Sequence, residues 1–125
     1  MKVLIGNRRK ALVALLAMLC LGPVFACHSY HIDATIENRT GSAISLMEVD
    51  YPSASFGADS LASNAVFHYS FQARNSGQVS VQYTIDGHQV QVKGPTLYEG
   101  QQGRMEIVLL PGGKVEFHPS LQPQH

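Results

Sequence analysis

The 125-residue chain has no tryptophan, two cysteines and no net charge, nine basic residues standing against nine acidic ones. Beyond position 21 it also lacks any long apolar run. Each scarcity excludes something. The bases are unevenly placed: Lys2, Arg8, Arg9 and Lys10 open the chain. Only Arg39, Arg74, Lys93, Arg104 and Lys114 remain to face all nine carboxylates, five against nine, a net charge of −4. A mildly acidic body without a basic patch argues against nucleic acid. It also lacks the polybasic segment that draws proteins to anionic lipid. Without tryptophan and a cysteine pair, the core signature of antibody-type domains is missing. Ser53 and Ser55 have no G-x-S-x-G elbow around them, and no two carboxylates announce the fixed separation of a glycosidase. The chain reads as a non-enzyme, with no cofactor expected.

What is present begins with a leader. Four cationic residues precede eleven apolar ones, ALVALLAMLCL at 11 to 21, and Gly22-Pro23 then breaks the run before Val24-Phe25-Ala26. That is the layout of a secretory signal peptide, assigned to residues 1–26. The apolar stretch is short of the ~20 residues that a membrane-spanning helix needs.

Cys20 leaves with the leader, so Cys27 is the only cysteine of the mature chain and no intramolecular disulfide is possible. Small exported domains normally use cysteines in pairs, so a lone one at the first mature position needs another role. VFAC, residues 24 to 27, resembles a bacterial lipobox, whose cysteine becomes the lipidated N-terminus. The resemblance implies lipidation of Cys27 and stable membrane anchoring, because two or more acyl chains hold where one does not. His28, rather than aspartate, follows the cysteine, which by the same resemblance favours the outer membrane. Val24-x-Ala26 would also suit an ordinary signal peptidase, leaving a free thiol or an intermolecular disulfide. A metal site with His28 and His31 is the weak alternative, since zinc wants three or four convergent ligands.

From residue 30 onward the dominant period is two. Tyr30, Ile32, Ala34 and Ile36 alternate with polar residues; so do Met47, Val49 and Tyr51; Phe67, Tyr69 and Phe71; Val79, Val81, Tyr83 and Ile85; Val90 and Val92; Met105, Ile107 and Leu109; and Val115 and Phe117. Asn38-Arg39-Thr40-Gly41-Ser42 is a turn cluster and formally a glycosylation acceptor, a chemistry not expected here. Asp86-Gly87 between two alternating runs predicts a type I′ hairpin. PSASFGADS, at 52 to 60, reads as a loop, Gly94-Pro95 as a strand break, and Pro111-Gly112-Gly113 as a last hairpin turn. The expectation is an all-β fold: about seven strands in an antiparallel β-sandwich over residues 27–119, immunoglobulin-like or fibronectin-like by count and spacing, with a loose tail at 120–125.

The series NRTG, VDYPSASFG and GPTLYEGQQG is similar to small uncharacterised exported bacterial proteins, often lipoproteins, with a single immunoglobulin-like β-sandwich. The resemblance spans most of the mature chain and implies the compartment and the fold, and no activity. It implies an exported bacterial lipoprotein facing the periplasm or the cell surface, with the membrane, through Cys27, and an envelope protein as the expected partners. A soluble periplasmic module binding a metal ion or a small ligand is the alternative.

The candidate contact residues are Tyr51, Pro52 and Phe56 in one loop and Tyr98 in another, aromatics set among small residues. Phe56 is expected to plug the end of the core rather than to face a partner. Gln72, Ser80, Gln82, Gln89 and Gln91 form a weakly charged outer face. His68 and His88 read as surface positions, and Met47 and Met105 as core. His31 and His118 are expected at opposite poles of the sandwich.

Overall fold

The computed structural model describes residues 30–123. Where apolar and polar residues alternate most regularly, one face of a strand is buried and the other wet. In Ile32–Asn38 (β1) the residues Ile32, Ala34 and Ile36 are buried and Asp33 is exposed. The other strands are Ile44–Tyr51 (β2), Ala54–Leu61 (β3), Val66–Phe71 (β4), Gly77–Ile85 (β5), His88–Leu97 (β6), Gln102–Leu110 (β7) and Lys114–Gln122 (β8). No α-helix occurs among the described residues; a 3₁₀ turn over Pro111–Gly113 joins β7 to β8. Two four-stranded sheets result, ordered β4-β1-β7-β8 and β3-β2-β5-β6. Ile32, Ile36, Met105, Ile107 and Leu109 of the first meet Val49, Val79, Val81, Tyr83 and Leu97 of the second in one core.

The β5–β6 turn is as expected: Asp86 and Gly87 both have positive φ, 49° and 77°, which a type I′ turn requires. Four expectations need correction. There are eight strands, not seven, because PSASFGADS is largely strand β3 instead of a loop. Gly94-Pro95 does not end β6, which continues to Leu97. Pro95 is tolerated because β6 is an edge strand and need not donate on its free side. The region assigned to a loose tail is partly strand, since β8 extends through Gln122. Finally, β1 runs parallel to β7, so the sandwich is not purely antiparallel.

Two local devices shape the core. β2 carries a bulge: Ser45 faces Thr84 and Glu48 faces Gln82, so Leu46 and Met47 share one opposing position on β5. Leu46 takes φ +50° and projects outward, 66% exposed, which lets Ile44 and Met47 both turn inward despite their odd spacing. Beside the bulge, a Cβ on Gly57 would lie 2.1 Å from the Met47 carbonyl oxygen, so only glycine fits there. At the β6–β8 edge of the sandwich the Phe117 ring fills the space over Gly94, where a Cβ would lie 2.6 Å from it.

The second device is Asn38, the one fully buried polar residue among those described. Its Nδ2 donates to the carbonyls of Ser42 (2.8 Å), Leu61 (3.0 Å) and Ala62 (3.2 Å), and its Oδ1 accepts from the Thr40 amide and hydroxyl. Asn38 is therefore a buried polar staple, its side chain turned inward and not presented as a glycan acceptor.

Candidate functional site

The parallel β1–β7 pair determines which loops share an end of the molecule. Ile32 lies beside Gly103, and Gly103 beside Leu121, so the start of β1 and the end of β8 flank the start of β7. His31 and the C-terminal strand end thus share one pole, contrary to the expectation of opposite poles. The turns at 51–53, 72–76 and 98–101 gather there too. Gly103 N donates to His31 O (3.2 Å), Gly100 N to Ala73 O (2.9 Å), Glu99 N to the Ser76 hydroxyl (3.0 Å), and the Ser53 hydroxyl to Gln72 O (3.3 Å).

Three of the four sequence candidates meet at this pole. Tyr51 is half-buried, its ring stacked on Phe71 with centroids 4.1 Å apart, and burial pushes its hydroxyl pKa up. Pro52 is half-buried, packed so closely on Gly77 that a Cβ there would lie 3.1 Å from the proline ring. Tyr98 is 59% exposed, its amide donating to Gln101 Oε1 at 2.9 Å. Phe56 sits in β3 instead, 6% exposed, stacked on Tyr69 at 4.3 Å, and forms part of the core. With Phe67 and Phe71 it closes the sandwich between β3 and β4. The pole therefore offers an aromatic and a proline among small residues, with Arg74 at its rim, which suits non-covalent contact.

Two further surfaces stand out, the first not foreseen and the second foreseen in part. On the outer face of the first sheet, register places His68, Thr35, Glu106 and His118 in one row across four strands, with Asp33 and Arg104 in the next. They line an open groove of about 470 Å³. His118 Nε2 lies 3.0 Å from Glu116, His31 Nε2 3.7 Å from Asp33, and the Ser70 hydroxyl bonds Asp33. Among the described residues no three His, Cys, Asp or Glu side chains converge as a metal-binding set. Cys27 and His28 lie outside the described residues. On the outer side of the second sheet Leu46 is exposed and Gln82 donates to Glu48 at 2.7 Å. Burial, then Glu48 beside it, raises the pKa of Asp50. Gln82, Gln89 and Gln91 lie on this face as expected, whereas Leu46 was missed because the bulge breaks the alternation that would have placed it. The histidine row could not be read from any single strand, since it exists only through register.

No family model, curated protein or solved structure matches the chain.

Proposed function

We propose that the protein is a non-enzymatic, exported bacterial lipoprotein: an immunoglobulin-like β-sandwich held at the cell envelope through Cys27, making contacts through the pole that bears Tyr51, Pro52 and Tyr98. The observation that carries this reading is the placement of a lone cysteine, directly after a cationic and apolar leader, three residues ahead of Tyr30, where the described sandwich starts. Two face-to-face sheets with short turns support the immunoglobulin-like assignment. End loops on such a scaffold are natural contact surfaces.

The test is fractionation in a bacterial host. The wild type should sediment with membranes and incorporate radiolabelled fatty acid, and Cys27→Ser should move it to the soluble periplasmic fraction. Failure of the label to incorporate would overturn the anchor in favour of a free thiol. A second reading, a soluble module for a metal ion or small ligand, draws on the groove at His68, Arg104, Glu106 and His118. Calorimetric titration with Zn²⁺ or Cu²⁺ tests its metal version.

A further inference from the structure

The position of the anchor relative to the fold constrains what the contact pole can touch. Only His28 and Ser29 separate Cys27 from Tyr30, and three residues of extended chain reach at most ~10 Å. His31 is already fixed to the first sheet, its carbonyl accepting from Gly103 N at 3.2 Å. Gly103 itself lies just past the 98–101 turn that carries Tyr98. An anchor at Cys27 therefore cannot be swung to the far end of the molecule. The opposite pole, with the Asp86-Gly87 turn and Pro111–Gly113, is a strand length away, and nine residues of β7 at ~3.3 Å each separate the two ends by about 30 Å.

Resting on the lipoprotein reading, we infer that the occupant of the Tyr51, Pro52 and Tyr98 pole is the bilayer surface itself. The sandwich stands on the membrane with Tyr98 at headgroup level and the Asp86 hairpin facing away. The side chains suit that setting. Tyrosine pairs an apolar ring with a wet hydroxyl and is favoured at membrane interfaces. Tyr98 is the most exposed aromatic described, and Arg74 supplies a cation for lipid phosphate. A protein partner would then reach the sandwich from its edges or its far pole, not through Tyr98.

The absence of tryptophan makes the test direct. Tyr98→Trp and, as a second reporter on the same turn, Glu99→Trp each introduce a single fluorophore, and His88→Trp places one at the far hairpin. The mature lipidated proteins are reconstituted into phosphatidylethanolamine/phosphatidylglycerol vesicles containing a headgroup-nitroxide lipid. The expected result is co-sedimentation of all three variants, with severalfold stronger quenching for Tyr98→Trp and Glu99→Trp than for His88→Trp. Co-sedimentation with equal quenching at both poles would overturn the orientation while leaving the anchor standing, and would return the pole to a protein partner. Absence of co-sedimentation would overturn anchor and orientation together.

Discussion

The side-chain amide of Asn38, at the end of β1, donates to the carbonyl of Leu61, at the end of β3, across 3.0 Å and from one sheet to the other. Four more hydrogen bonds converge on the same side chain, so its removal would leave several buried groups without partners at once. Each such orphan costs about 1–3 kcal/mol. Asn38→Ala should therefore lower stability by about 3 kcal/mol or more, read from chemical denaturation. Asn38→Asp should be worse at neutral pH, because a carboxylate would face three carbonyl oxygens. A loss below about 1 kcal/mol for the alanine variant would show that water replaces the side chain.

Phe56 makes a separate case. Its ring is buried between Tyr51, Phe67, Tyr69 and Phe71, and truncating a core phenylalanine costs about 3–5 kcal/mol. Phe56→Ala should lose that much. Tyr69→Ala, with its side chain 40% exposed, should lose less. Equal losses would show that the two rings act as one packing unit.

Leu46 holds a left-handed backbone conformation that leucine disfavours, with most of its side chain in water. Asparagine adopts that conformation more readily. Leu46→Asn should raise stability by about 0.5–1 kcal/mol, measured by urea denaturation. A decrease would mean that the exposed leucine packs usefully on its surroundings.

Asp50 gives a pH dependence of defined sign. Burial first, then Glu48, raises its folded pKa above the ordinary carboxylate value, with a Ser80 hydrogen bond pulling the other way. The folded state then binds the proton more tightly than the unfolded one, so this group's contribution to stability falls as pH rises through that range. Asp50→Asn removes the penalty. Its stability relative to wild type should be greatest near pH 7 and should shrink as the pH falls and Asp50 takes up its proton. A gap that persists at low pH would point to lost hydrogen bonding instead.

The sequence was legible where one strand's own pattern suffices. In β1 and β5 the inward residues are apolar and alternate with outward ones, and the Asp86-Gly87 turn carries its conformation in its composition. β3 was not legible because its residues are small and loop-like, ASFGADSL, with only Phe56 and Leu61 large. It is a strand because β2 offers it a ladder, and Gly57 is there to clear the Met47 carbonyl rather than to make a turn. Gly94-Pro95 misled for a similar reason: the glycine makes room for Phe117, and the proline sits on an edge strand. At the site, Tyr51, Pro52 and Tyr98 could be nominated from their loops. Their meeting beside His31 depends on the parallel β1–β7 pair, whose members lie about 70 positions apart in the chain, beyond the reach of local pattern.

That parallel pair also makes the fold nearly a closed ring. β1 and β8 each lie one strand from β7, so the two ends of the described chain sit about two strand spacings apart, roughly 10 Å. A peptide of three or four residues would bridge that gap. The chain could then be joined head to tail and reopened at the Asp86-Gly87 hairpin with every strand keeping its neighbours, a circular permutation that would carry the free ends to the opposite pole of the sandwich.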